Sequence, residues 1–296
     1  MKKRVRIGSR ESQLAMWQAK YIAEQIERAN PYIEVEIVAM KTTGDRILDR
    51  NLDQIGGKGL FVKELDIALM EKRTDLSVHS LKDMPMEINS ELPVVAYSRR
   101  EDPRDVLICR KGIRWENIRS IGTSSPRRRV QLVQMFPNSI YMGMRGNIQT
   151  RLRKLQEGQC DATVLAMAGL KRLGIDRYME KIFEPDELLP AAGQGILAVQ
   201  GRAGENYDYL ECVEDWEGRT AAYAERAFVC MLGGGCHSPV AAYASIKGEQ
   251  IRLKGLYYHE KTGECITGVL EGNTSDAEAI GRKLALQMKE RSVFCD

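Results

Sequence analysis

The sequence predicts an α/β protein: two α/β domains joined by a double hinge, followed by a smaller α+β domain. Strand-like and helix-like apolar patterns alternate through residues 5–97, and the same alternation restarts at 106 and runs to 173. Two breaks rich in charge, proline or glycine, 98–104 and 189–195, flank the second run. Beyond residue 217 the pattern changes to helix, three strands and helix. A length of 296 residues accommodates about two domains of ordinary size, each with its own core.

Residues 5–7 read as a short strand, and Ser12 is the expected N-cap of a helix whose Leu14, Trp17, Tyr21, Ile22 and Ile26 form an apolar stripe. Ile33, Val35, Ile37 and Ala39 alternate with Glu34 and Glu36 as in a half-exposed strand. The polar stretch 41–59 has no period and is expected to be a long mobile loop. Phe61, Leu65, Ala68 and Leu69 place a helix at 61–72, with strands at 76–79 and 94–97, so the first domain reads as largely parallel. The second run gives strands at 106–109, 120–122, 139–142 and 162–165, with helices at about 126–135, 147–157 and 167–173. Strand 196–200 is suited to return to the first sheet. The domains are therefore expected at 1–98 with 194–212, at 103–189, and at 217–296, the last with helices 219–231 and 275–291 around strands 240–246, 250–257 and 265–271. Two crossings between α/β domains make a hinge pair around a ligand cleft.

Composition narrows the classes of function. With 43% hydrophobic and 29% charged residues the chain reads as soluble and globular, and no apolar run approaches the ~20 residues of a membrane span. The basic start Met1-Lys2-Lys3-Arg4 is not followed by a signal-peptide core, so the cytoplasm is the expected compartment. Seven scattered cysteines, odd in number and without a Cys-x-x-Cys pair, argue against a disulfide framework; with only three histidines, no metal site is expected. A net charge of +3 from 44 basic and 41 acidic residues is too balanced for nonspecific nucleic-acid binding. Neither nucleic acid nor membrane is an expected partner, and a monomer is expected. Anion recognition must come from local arginine clusters.

One such cluster is Gly122-Thr123-Ser124-Ser125-Pro126-Arg127-Arg128-Arg129, at a strand end, with Ser125 as N-cap and Pro126 at the first helical position. Three cations in the first turn oppose the helix dipole, which calls for a bound anion, a solvated basic face being the alternative. Arg145-Gly146-Asn147 repeats the pattern, with Arg151 one helical turn on, and Arg10 beside Ser12 is a third instance. Arg172, near the end of a short helix, is a fourth. Guanidinium groups at helix starts suit carboxylate or phosphate. All lie at strand C-termini, where open α/β sheets bind ligands. His79-Ser80-Leu81-Lys82-Asp83-Met84-Pro85 ends another strand, with Pro85 disfavouring helix at Met84, Lys82 able to bind an anion, and Asp83 able to hold an N–H donor or a cation. Gly56-Gly57-Lys58-Gly59-Leu60-Phe61 lacks the spacing of a phosphate loop. In Leu232-Gly233-Gly234-Gly235-Cys236-His237 three glycines strip bulk from the approach to one thiol.

Taken together these segments resemble the hydroxymethylbilane synthase family, also called porphobilinogen deaminase. The resemblance runs through Gly8-Ser9-Arg10-Glu11-Ser12, 56–64, 79–85, 100–105, 122–128, 145–151, Ala168-Gly169-Leu170-Lys171-Arg172, 189–195 and Gly234-Gly235-Cys236, covering nearly the whole chain. It implies an enzyme that joins four porphobilinogens head to tail with release of ammonia, and a dipyrromethane cofactor held on Cys236 by a thioether. It further implies that Lys82, Asp83, Ser125, Arg127, Arg128 and Arg172 hold the cofactor and that Arg10, Ser12, Arg145 and Arg151 face the substrate. Asp83 would also accept pyrrole N–H groups and stabilise the cation left by ammonia, while Lys58 and Phe61 belong to a lid. Gln54 stands where many members carry a second lysine. The alternative is a non-catalytic two-domain anion-binding receptor or effector module of the periplasmic-binding-protein type, which shares the hinged cleft but leaves Cys236 unexplained.

Overall fold

A computed structural model of the chain describes residues 2–42, 62–175, 179–234, 238–259 and 262–293. They form two compact units, Met1–Glu101 with Ile196–Arg219, and Asp102–Gly195 with Thr220–Asp296. In the first, β1 (Lys3–Arg10), α1 (Gln13–Ala29), β2 (Ile33–Met40), α2 (Lys63–Met70), β3 (Leu76–Ser80) and β4 (Val94–Tyr97) are joined by β10 (Leu197–Gln200), which the chain supplies on its return. The sheet order is β2-β1-β3-β10-β4. β1 runs parallel to β2 and β3, whereas β10 runs antiparallel to β3 and β4, so the sheet is mixed rather than largely parallel. The hydrophobic pattern of β10 placed it in this sheet; its direction follows from a crossing that no local pattern encodes.

Helix α1 closes on the sheet through Ala15, Ala19, Ile22, Ala23 and Ile26, and the alanines allow a near approach to Val5, Ile7, Leu76 and Val78. Trp17 and Tyr21, expected within that stripe, lie at its rim, more than a third exposed and stacked on each other at 5.2 Å. Helix α2 is shorter than its apolar spacing suggested. Beneath it the protein is unusually polar: Asp66 Oδ1, Thr74 Oγ1, Ser77 Oγ and Gln200 Oε1 are buried without a hydrogen bond.

Burial pushes the Asp66 carboxyl up to about 6, against a smaller lowering by Gln200. Because the folded value lies above the unfolded one, this group adds stability at low pH that is lost as pH rises through about 6. Asp66→Asn, which mimics the neutral form, should remove that dependence and be more stable than wild type at pH 7.5 by about 1–2 kcal/mol, after allowance for solvent screening of a half-exposed group. Urea midpoints of both proteins at pH 4.5 and 7.5 test this; equal midpoint differences at the two pH values would refute it.

The second unit contains β5 (Asp105–Cys109), β6 (Ser120–Gly122), α3 (Pro126–Met135), β7 (Ile140–Met142), α4 (Ile148–Gln156), β8 (Ala162–Ala166), α5 (Met167–Arg172) and β9 (Met179–Phe183). The order β7-β6-β8-β5-β9 repeats the plan of the first sheet, with β5 as the antiparallel strand, as expected of a periplasmic-binding-protein-like pair of domains. Both faces are buried, since Leu107 and Val164 join one core and Val106, Ile108 and Leu165 the other. Strand β9 was not expected from the sequence. It is an edge strand whose exposed Glu180 and half-exposed Lys181 mask its apolar residues.

The C-terminal part packs α6 (Trp216–Met231) and α7 (Ala277–Val293) with an antiparallel sheet of β11 (Val240–Lys247), β12 (Gln250–His259) and β13 (Glu264–Asn273). A Cβ at Gly281 would stand 2.2 Å from the Ala224 carbonyl, so only glycine permits this helix crossing. Glu225, fully buried, ties this part to its unit by accepting from the backbone N–H of Gly193 and of Ala244, both at 2.7 Å.

Candidate active site

In each α/β sheet the connections diverge at one point, between β1 and β3 in the first and between β6 and β8 in the second. Open α/β sheets take ligands outside the strand C-termini at such switch points. The candidate residues emerge there or at the neighbouring end of β7: Arg10 and Ser12 follow β1, Lys82 and Asp83 follow β3, Ser125, Arg127 and Arg128 follow β6, Arg145 and Arg151 follow β7, and Arg172 follows β8.

At the first switch point a pocket is lined by Arg10, Ser12, Gln18, His79, Ser80 and Asp83, among others. Ser12 caps α1, its Oγ accepting from the Ala15 N–H at 3.3 Å. Asp83 ends a single 3₁₀ turn, Leu81–Asp83, whose neighbours Leu81 and Met84 are buried, and the Met84 N–H donates to the Leu81 carbonyl at 3.1 Å. Anchored on both sides, the turn presents Asp83 to solvent. Met84 takes the extended conformation that Pro85 imposes, with ψ 148°. Lys82 shares this turn and is half-buried.

At the second switch point the anion demanded by three arginines in one helical turn belongs to the chain itself. Asp105, fully buried, accepts from Arg127 Nη2 at 2.9 Å, from Arg128 Nη2 at 2.7 Å and Nε at 3.1 Å, and from Gln194 Nε2 at 2.9 Å. Arg127 and Arg128 also donate to the carbonyls of Leu189 and Val164. Both are only 5% exposed, so neither the solvated basic face nor compensation by a bound anion alone describes them; Arg129 is the exposed member. Burial lowers the Arg127 pKa, Asp105 opposing the change and Arg128 adding to it. Two guanidiniums share one carboxylate, leaving a positive charge in excess at the α3 N-terminus, where Ser125 caps by accepting from the Arg128 N–H at 3.4 Å. Arg172 is likewise buried and donates to the Gly195 carbonyl at 2.6 Å.

Around the start of α4, Asn147 Oδ1 accepts from the Thr150 N–H at 2.9 Å and Arg151 Nε donates to the Gly146 carbonyl at 2.8 Å. Gly146 has φ 114°, which a side chain rarely adopts, and this turn directs the chain from Arg145 into the helix. Lys58, Phe61, Cys236 and the 43–59 part of the expected loop lie outside the described residues. Asp105, Gln18 and His79 were not expected at the sites. None of the three carries a local signal; Asp105 stands 22 and 23 positions before the arginines it pairs.

Residues 5–208 match the family model "Porphobilinogen deaminase, dipyromethane cofactor binding domain", and 220–290 match "Porphobilinogen deaminase, C-terminal domain". The chain belongs to the porphobilinogen deaminase family. Relatives named porphobilinogen deaminase include one from Ruminiclostridium cellulolyticum, 51% identical over 97% of this chain and 98% of its own, and one from Acetivibrio thermocellus, 48% identical over 96% and 98%. Among solved structures, the periplasmic VFT2 domain of BvgS from Bordetella pertussis covers 71% of this chain and 84% of its own at 14% identity and a TM-score of 0.42. Membership makes the chain a transferase of tetrapyrrole biosynthesis, a hydroxymethylbilane synthase using a dipyrromethane cofactor, and removes the non-catalytic binding module as a reading. A chain of pyrroles bearing acetate and propionate arms is a polyanion, and the surplus cation at the second switch point fits it.

Proposed function

We propose that Asp83 is the catalytic carboxylate of this synthase, and the observation that carries the reading is its exposed placement in one pocket with Arg10 and Ser12. Arg10 and Ser12 bind the carboxylates of the incoming porphobilinogen, with the N-terminal dipole of α1 adding to the attraction. Asp83 accepts from the pyrrole N–H and stabilises the cation that forms as ammonia leaves, a preorganised charge at the reacting centre. Arg145 and Arg151 serve the substrate side. The dipyrromethane, when bound, supplies the pyrrole carbon to which each new unit is joined. Cys236 holds it covalently, and Lys82, Ser125, Arg127, Arg128 and Arg172 hold its carboxylates; both buried guanidiniums retain N–H donors beyond those spent on Asp105. Asp105 orients them as a pair. The region 217–296, with its own antiparallel sheet, is proposed as a separate domain carrying Cys236.

A cytoplasmic monomer acting on a small molecule fits this reading, and among the described residues no helix is long and apolar enough to cross a membrane. The test is the intact mass of protein purified from cells that make porphobilinogen. It should exceed the sequence mass by two linked pyrrole units, with the whole excess on the peptide containing Cys236. An unmodified mass, or an excess on another peptide, would overturn the assignment.

A further inference from the structure

The chain leaves α6 through a left-handed glycine turn. The Gly234 N–H donates to the Val229 carbonyl and the Gly233 N–H to the Cys230 carbonyl, both at 2.9 Å, with Gly233 at φ 67°. The Leu232 N–H reaches the Phe228 carbonyl at 3.3 Å. Of the carbonyls that end the helix this leaves that of Met231, and Lys289 Nζ of α7 donates to it at 2.7 Å. A cation there also faces the negative end of the α6 dipole. The bond is not needed to join the two helices, which already meet at Gly281, about two turns earlier on α7. Its effect falls on the end of α6, from which the chain runs on to Cys236. Gly234 also abuts the start of β11: a Cβ on it would lie 3.2 Å from Val240 Cγ2 and 3.0 Å from Val229 Cγ1. The exit from α6 and the entry to β11 therefore share one neck, and Cys236 is the second residue beyond Gly234.

We propose that Lys289 is a positioning residue for cofactor attachment: by fixing the last turn of α6 it sets the direction in which the chain leaves the neck toward Cys236. The inference rests on the reading of Cys236 given above. Attachment joins the Cys236 sulfur to the methylene carbon of porphobilinogen as the carbon–nitrogen bond breaks, and the thiol proton leaves with the ammonia. A thiol carried on a fixed neck meets that carbon at a lower orientational cost than one on a frayed helix end. Lys289 acts through the Met231 carbonyl and not on the thiol itself. Once the thioether is made, the arginines of the second switch point hold the pyrrole chain, so Lys289 matters to loading and little to turnover.

The full-length chain, made in cells that lack porphobilinogen and then given it, reports attachment as the rate at which its intact mass gains two linked pyrrole units. Lys289→Met keeps an apolar stem without the donor and should load about tenfold more slowly, whereas Lys289→Arg restores a donor and should load within about threefold of the wild-type rate. After loading, the kcat and KM of both variants should lie within about twofold of wild type. A role in packing alone would lower the urea midpoint and leave the loading rate of the folded protein where it was. Gly234→Ala crowds Val229 and Val240 and tests the same neck with Lys289 intact; it too should load more slowly. Wild-type loading in folded Lys289→Met or in Gly234→Ala, or equal slowing in Lys289→Met and Lys289→Arg, would overturn the inference. The wild-type chain separates the two levels. If it gains no mass, or gains it on a peptide without Cys236, the broader reading of Cys236 fails; if it gains mass on Cys236 and Lys289→Met does so equally fast, Lys289 alone is wrong.

Discussion

Replacing Asp105 with alanine is expected to cost about 3–5 kcal/mol of stability, because it leaves two buried guanidiniums without a counterion. Asp105 is fully buried and meets Arg127, Arg128 and Gln194 within 3.1 Å. Once it is gone, Arg127 and Arg128 repel each other across a site from which water is almost absent. Arg128→Leu should cost less than Asp105→Ala, since Arg127 and Gln194 still satisfy the carboxylate. For the same reason the double variant Asp105→Ala/Arg128→Leu should cost less than the sum of the two single changes. Urea unfolding at neutral pH measures all three, and a cost below about 1 kcal/mol for Asp105→Ala would contradict the clamp. Intact mass adds a functional readout: with the pair disoriented, Asp105→Ala should accumulate protein lacking the pyrrole mass.

That clamp also marks where the sequence stops being legible. Ser12, Ser125 and Asn147 declare helix starts by themselves, because a cap is a contact across three residues, and each caps as expected. The arginines of α3 were legible as an electrostatic problem for the same reason. The solution, Asp105, stands 22 and 23 positions away on another strand, and no local spacing announces it. Strand direction is equally nonlocal: β10 and β5 have ordinary apolar patterns, and only the chain's crossings make them antiparallel members of their sheets. What was legible at the site was thus the chemistry of helix starts and strand ends, buried or exposed. The polar groups behind them came from the fold.

Asp83→Asn should slow turnover by on the order of a hundredfold or more while leaving the protein folded and loaded with cofactor. The side chain is exposed, and the turn that carries it is anchored by Leu81 and Met84 rather than by the carboxylate, so stability should change by no more than about 0.5 kcal/mol. An amide keeps the size and one acceptor, and can still meet a pyrrole N–H. It cannot neutralise a cation. The loss should therefore fall on the step that releases ammonia, where charge develops, and only weakly on KM, to which Arg10 contributes. Single-turnover addition of one pyrrole unit, followed by intact mass, measures the step directly. Near wild-type addition in Asp83→Asn would remove the carboxylate from the chemistry and leave Lys82 or the substrate's own carboxylates as the groups facing the cation.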